Sequence, residues 1–208
     1  MIAHQIKTEN GMQSALVQAM SVIPREKFVP RQYARVAYMD ASVCLGKGAV
    51  LLKPTAMARF LSAASFGVKD KVLYIGKDCG YGPALLGSMG FSVYILTEDR
   101  VHGEGMMDIF QELQIPSISL AIGPLAQGWK EEAPFDKIFL EGSIDFLPET
   151  LGKQLQQGGE MLCFMERPGY TPQATKWMRQ GKKWESVPLF DGWAPALKQF
   201  QQEKDFVF

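Results

Sequence analysis

The chain has only two histidines and three cysteines in 208 residues, and it carries no net charge. Each shortage removes a class of function. His4 and His102 lie far apart in sequence, so no metal-binding constellation can be built from them and no metal is expected. Cys44, Cys79 and Cys163 are odd in number and widely spaced, which is neither a disulfide framework nor a metal-ligand spacing, and they suit a reducing compartment. Lysine plus arginine and aspartate plus glutamate both number 22, with the signs mixed along the chain. Such a chain offers no net field to attract nucleic acid or anionic lipid, and neither is expected as a partner. No apolar stretch approaches the ~20 residues of a membrane span. Met1-Ile2-Ala3-His4-Gln5-Ile6-Lys7 lacks the basic start and apolar run of a signal peptide. The expected location is the cytoplasm.

What is present is ordinary for a globular fold: 47% hydrophobic and 21% charged residues, at a length that suits one domain with a full core. There is no internal repeat and no low-complexity linker. The chain reads as an N-terminal helical segment, 1–66, followed by a sheet core, 67–208. In the first segment, Met12, Leu16, Val17, Ala19 and Met20 have helical spacing after Asn10-Gly11. The prolines of Ile23-Pro24-Arg25-Glu26-Lys27-Phe28-Val29-Pro30 then break the helix. A short helix is expected over 33–37, an aperiodic Gly-rich stretch over 40–54, and a helix over 55–65.

From residue 67 the texture alternates between strands and helices. Strands are expected over 71–75, 91–97, 117–122, 137–140 and 160–165, with helices over 83–89, 103–113 and 147–156. That alternation predicts an α/β fold of the Rossmann-like kind, a mostly parallel twisted sheet with helices on both faces. Antiparallel edge strands are expected over 184–189 and 204–208. Trp129, Trp177, Trp184 and Trp193 read as core and edge packing, and so do Met106 and Met107.

The candidate ligand site is the turn Gly76-Lys77-Asp78-Cys79-Gly80-Tyr81, between the first strand of this sheet and its helix. Glycines there let a ligand approach the backbone, and a helix N-terminus offers unpaired N–H groups. A carboxylate about 20 residues on, at the end of the next strand, is the usual partner for ribose hydroxyls, and Glu98 occupies that place. Asp78 stands where a central glycine is expected. Cys79 sits at the helix start, where a thiol becomes reactive or is merely small enough to fit. Two glycines between a strand and a helix also serve packing, so the turn by itself leaves both readings open.

The order of segments resembles the protein-L-isoaspartate O-methyltransferase family along nearly the whole chain. The matching residues are Gln18-Ala19-Met20, Pro24-Arg25-Glu26-Lys27-Phe28-Val29-Pro30 and Ala37-Tyr38-Met39-Asp40. They continue with Val72-Leu73-Tyr74-Ile75-Gly76, Gly80-Tyr81, Ala133-Pro134-Phe135-Asp136-Lys137-Ile138, Gln154-Leu155 and Gly158-Gly159. The resemblance implies a class I methyltransferase fold that binds S-adenosylmethionine and methylates the carboxylate of isoaspartyl residues in damaged proteins, with a peptide or protein as substrate. It implies that Gly76, Lys77, Asp78, Cys79, Gly80 and Tyr81 meet the methionine end of the cofactor. Glu98 meets the ribose, or Thr97 if the register is one residue shorter. The substrate cleft it implies is made by Val50, Leu51, Leu52 and Pro54.

Pro188-Leu189-Phe190-Asp191, with Pro195-Ala196-Leu197 and Phe200 beyond, resembles a divergent bacterial branch of the family, and several family positions are altered. Leu52 stands at the family's serine, Gly123-Pro124-Leu125 replaces Gly-Asp-Gly, and Glu141-Gly142-Ser143 replaces Thr-Ala-Ala. In a working methyltransferase Glu141 or Ser143 would line the transfer site; otherwise Glu141 is a solvated strand end. The pair Leu51-Leu52 reads as core packing, with a partner-contacting surface as the other reading. Methyl transfer to an ionised carboxylate needs positioning more than proton transfer, so no catalytic residue is assigned. Two functions follow. One is a methyltransferase with its substrate either kept or changed. The other is a non-catalytic binding or regulatory protein on the same scaffold that has lost the cofactor.

Overall fold

The computed structural model describes residues 1, 6, 13–77, 80–181 and 183–202. Expectations concerning His4, residues 10–12, Asp78, Cys79 and the strand over 204–208 lie outside the described residues. The sheet has seven strands: β3 (Lys71–Gly76), β4 (Ser92–Thr97), β5 (Ile118–Ile122), β6 (Phe135–Ile144), β7 (Leu155–Met165), β8 (Gln173–Gln180) and β9 (Lys183–Asp191). Their spatial order is β5-β4-β3-β6-β7-β8-β9. The first five are mutually parallel, and β8 and β9 join antiparallel at the far edge.

Strict alternation along the central strands explains why both faces of the sheet are covered. Val72 and Tyr74 of β3, Phe139 of β6 and Leu162 and Phe164 of β7 enter one core. Leu73 and Ile75, Ile138 and Leu140, and Met161 and Cys163 enter the other. Apolar residues on both faces favour a parallel sheet between helices over a half-solvated one. The first core is covered by α1 (Ser14–Val22), α2 (Pro54–Ser62) and α3 (Tyr81–Ser88); α4 (Arg100–Glu112) follows β4 and α5 (Glu149–Gln154) precedes β7. Phe60 packs on Phe139 and Phe164, with centroids 5.5 and 5.0 Å away. Among the described residues no helix is long and apolar enough to cross a membrane.

The expected elements appear in their expected order, with four differences. The stretch 40–54 is not aperiodic coil: it folds as a hairpin of β1 (Val43–Gly46) and β2 (Ala49–Leu51). Its turn runs through Gly46, Lys47 and Gly48 at φ 97°, 49° and 80°, angles that glycine adopts freely. The strands are too short, and too irregular across a bulge, for their alternation to register. Residues 31–36 form a 3₁₀ turn rather than an α-helix. Strand β7 starts at Leu155, so α5 stops short of the expected 156. Finally, β8 had no counterpart among the expected strands; it pairs with β9, whose Pro188 is tolerated because β9 is an edge.

A buried ionic knot ties the amino-terminal end of the sheet to the segment just beyond α2. Glu160 accepts from the Ser65 backbone N–H at 2.7 Å and faces Lys176 at 3.1 Å and Lys137 at 3.5 Å. Burial would raise the Glu160 pKa, but the Ser65 N–H and the two ammonium groups overcome it and hold the carboxyl below its ordinary 4.5. A depressed folded-state pKa stabilises the protein above the unfolded value and loses that contribution as pH falls through the folded one. Thermal unfolding followed from about pH 6 to about pH 3 should therefore show Glu160→Gln less stable than the parent at the upper end. The gap should narrow below pH 4.5. A gap that stays constant across the range contradicts the assignment.

Candidate functional site

The chain leaves β3 toward β4 and β5 on one side, while β6 flanks β3 on the other. At this switch of direction the carboxyl ends of parallel strands leave a crevice, the usual ligand site of such sheets. A cavity of about 670 Å³ lies there. Its base is made by Lys77 and Gly80 of the glycine turn with Thr97, Glu98 and Asp99 after β4. His102, Met106 and Ile109 form one wall; spaced by four and three residues, they share a face of α4. Lys27, Phe28, Val29 and Pro30 form the facing wall, and the hairpin tip Leu45-Gly46-Lys47 closes a third side.

Close approaches set this shape. A Cβ at Gly80 would lie 2.8 Å from Phe28 Cδ1 and 3.3 Å from Met106 Sδ, so the turn can touch both walls only as glycine. Gly82 fits because a side chain there would overlap the Tyr74 hydroxyl. Thr97 is buried, and its Oγ1 donates to the Lys77 carbonyl at 3.3 Å, joining the ends of β3 and β4. Glu98 is exposed on the rim and accepts a hydrogen bond from Gln199. Asp99 caps α4 by accepting from the His102 N–H at 3.1 Å, and Lys47 reaches its other oxygen at 3.4 Å. The His102 N–H first, then Lys47, hold the Asp99 carboxyl below its usual range.

Behind the facing wall lies a buried arginine. Arg25 Nε donates to the Ala37 carbonyl at 2.6 Å, and Nη2 donates to the Leu52 carbonyl. Its guanidinium stacks 4.9 Å from the centroid of the Tyr81 ring, within the field of Glu141. Burial pushes the Arg25 pKa down, opposed by Tyr81, Glu141 and Tyr38. Burial likewise pushes the Tyr81 phenol up. The Arg25 backbone N–H donates to the Tyr38 hydroxyl at 3.2 Å, and that hydroxyl donates to Glu26. Asp40 accepts from the Thr55 N–H at 3.2 Å and from the Thr55 hydroxyl at 2.7 Å. The segments 24–30 and 37–40 thus lock to each other and to the start of α2.

Of the eight positions expected at the cofactor, Lys77, Gly80, Thr97 and Glu98 line the cavity. Gly76 is buried at the end of β3, and Tyr81 is buried beneath Arg25. Asp78 and Cys79 are the two outside the description. None of the residues expected at the substrate cleft lines this cavity. Leu51 and Leu52 are buried in the core, Pro54 is buried at the start of α2, and Val50 is half-buried opposite Cys44. Glu141 is not a solvated strand end: it is buried, and the Tyr74 hydroxyl donates to it at 2.7 Å. Ser143 is also buried, with Oγ donating to the Ala194 carbonyl at 2.5 Å. Pro124 is exposed beyond β5 and does not line the cavity.

The walls were the part not assigned from the sequence. The motif 24–30 stood out, but as a fingerprint rather than as a surface, and the hairpin tip was hidden in the aperiodic stretch. The 102, 106, 109 spacing was the one available signal for α4.

The family model for protein-L-isoaspartate(D-aspartate) O-methyltransferase matches residues 1–186. A protein-L-isoaspartate O-methyltransferase of Methylorubrum populi is 31% identical over 169 residues, covering 81% of this chain and 79% of that protein. One of Pelotomaculum thermopropionicum is 30% identical over 163 residues, covering 78% and 71%. A solved protein-L-isoaspartate O-methyltransferase superposes with a TM-score of 0.80 at 22% identity, over 92% of this chain but only 63% of that one. A Plasmodium falciparum structure described as a putative member in complex with S-adenosyl-L-homocysteine gives 0.74 at 19% identity, over 90% and 91%. The structural likenesses carry the fold, and the sequence matches carry the kinship: the chain belongs to the protein-L-isoaspartate O-methyltransferase family.

Proposed function

We propose that the protein is an S-adenosylmethionine-dependent O-methyltransferase that acts on isoaspartyl carboxylates in polypeptides. The observation that carries this reading is the cavity at the carboxyl ends of β3 and β4, walled by the family's own 24–30 segment. Its volume of about 670 Å³ falls within the roughly 300–1,000 Å³ usual for cofactor pockets. Its lining also fits the group. Phe28, Val29, Met106 and Ile109 offer apolar surface to a purine, Glu98 offers acceptors to ribose hydroxyls, and the turn at Lys77 and Gly80 offers backbone and a cation to a carboxylate. This retained set argues against a scaffold that has lost the cofactor.

When bound, the cofactor supplies an electrophilic methyl group on a sulfonium. The residues of this chain hold and orient. Thr97 joins the ends of β3 and β4, which fixes the floor. Glu98 would hold the nucleoside end, and the Phe28 and Met106 walls would offer it apolar surface. The acceptor carboxylate is already ionised, so a general base is not required and alignment supplies most of the rate. Leu52, packed in the core, contributes no hydroxyl to substrate recognition. We place the protein in the cytoplasm, on the free thiols of Cys44 and Cys163.

Calorimetric titration with S-adenosylmethionine and S-adenosylhomocysteine should give Kd values below about 1 mM, and Glu98→Gln should weaken both roughly tenfold. Labelled methyl groups should pass to an isoaspartyl peptide and not to its aspartyl counterpart. Absence of both binding and transfer in the parent protein overturns the reading. Binding with no transfer to the isoaspartyl peptide leaves a methyltransferase of another substrate.

A further inference from the structure

The chain beyond β9 crosses the carboxyl end of the sheet and is fastened there. Ser143 at the end of β6 donates its N–H to the Pro195 carbonyl at 2.8 Å, and its carbonyl accepts from the Leu197 N–H and from Gln201 Nε2, both at 3.0 Å. The Asp145 N–H donates to the Phe200 carbonyl at 3.1 Å. Leu197 and Phe200 are both buried, so the 3₁₀ turn Lys198–Phe200 between them is anchored on each side. Gln199 leaves that turn and bridges two strand ends. Its Oε1 accepts from the Ala126 N–H, beyond β5, at 3.0 Å, and its Nε2 donates to Glu98 Oε1, beyond β4.

We propose that Gln199 is a positioning residue for the cofactor, acting through Glu98; this rests on the reading of Glu98 as the ribose carboxylate. A glutamate side chain on an exposed rim samples many rotamers, and ordering it on binding costs affinity. Gln199 removes that freedom beforehand. The Ala126 N–H requires an acceptor, which fixes which end of the amide is oxygen and turns the Nε2 donors toward Glu98. An amide holds the carboxylate without neutralising it, so its charge stays available to the ribose hydroxyls; a lysine or arginine in the same place would compete for it as an ion pair. One carboxylate oxygen takes the Gln199 donor, which leaves the second to accept from a ribose hydroxyl.

The test is titration of the full-length protein with S-adenosylhomocysteine. Gln199→Ala should raise Kd roughly tenfold, about the effect of one charge-assisted hydrogen bond. In turnover the KM for S-adenosylmethionine should rise while kcat and the peptide KM hold. Gln201→Ala removes a neighbouring fastening of the same segment without touching Glu98, and should leave Kd within twofold. On a Glu98→Gln background the Gln199→Ala change should add little. Gln199→Glu should bind poorly near neutrality and recover as the pH is lowered, since two facing carboxylates favour sharing a proton and that proton restores a donor. The proposal is overturned if Gln199→Ala leaves Kd unchanged, if Gln201→Ala matches it, or if its effect adds fully to that of Glu98→Gln. A parent protein that does not bind at all overturns the cofactor reading, and this one with it.

Discussion

Replacing Arg25 with alanine should destabilise the protein by about 3–5 kcal/mol, the usual consequence of removing one partner from a buried charge network. The side chain is fully buried. Its loss strands the carbonyls of Ala37 and Leu52, which it bridges across the approach to α2, and leaves Glu141 buried without the cation in whose field it lies. Tyr81 loses the guanidinium above its ring. At about 2–4 °C per kcal/mol for a domain of this size, the midpoint should fall by roughly 6–20 °C in a calorimetric scan. Arg25→Met restores apolar volume but still leaves a buried carboxylate, so it should recover little, whereas Arg25→Met combined with Glu141→Gln should recover more. A midpoint within about 2 °C of the parent for Arg25→Ala means that the network carries no stability. Where the protein still folds, its cofactor affinity should also drop. The wall Lys27–Phe28–Val29–Pro30 begins two residues after this anchor.

That role explains why a fingerprint such as Pro-Arg-Glu-x-Phe-Val-Pro was recognisable in the sequence while its purpose was not. Arg25 meets Ala37, Leu52, Tyr81 and Glu141, partners 12 to 116 residues away, and no local pattern encodes such a meeting. Asp136 is a similar case: it accepts from the Lys71 N–H at 2.7 Å, joining the starts of β6 and β3. Gln154 is another, its amide accepting from the Trp129 N–H at 2.8 Å and donating to the Gln127 carbonyl at 2.7 Å. The matched residues are largely pins that hold walls, rather than groups that meet a ligand. The central sheet was readable because its strands are apolar on both faces and its helices periodic, and period is a local property. The floor of the cavity was readable for the same reason, since a glycine turn after one strand and a carboxylate after the next sit at fixed topological places. The hairpin tip, the α4 wall and the strap carrying Gln199 depend on tertiary contacts. So did the burial of Glu141, which its place at a strand end marked as solvated, and that of Ser143.

Leu52→Ser should be as costly as an ordinary core truncation, although serine is the residue the family resemblance places there. Leu52 is buried in the main core between β2 and α2, and its carbonyl is one of the two that Arg25 holds. Cutting a buried leucine back to a small side chain costs about 2–5 kcal/mol, depending on how far the site collapses. The new hydroxyl would need a partner where its surroundings are apolar, which makes the upper part of that range the expected one. The competing expectation is that serine restores a substrate contact and raises methyl transfer to an isoaspartyl peptide. The two separate cleanly. Burial predicts a lower midpoint, weaker or unchanged transfer and a peptide KM that does not improve. A contact role predicts near-parental stability and a lower peptide KM. Leu52→Met keeps the volume and should cost less than about 1.5 kcal/mol, which separates the packing effect from any effect of the backbone carbonyl. Stability held by Leu52→Ser together with a gain in transfer would show that this position faces the substrate after all. The expected result instead places acceptor recognition with residues that reach the cavity, beginning with the walls contributed by 27–30 and 45–47.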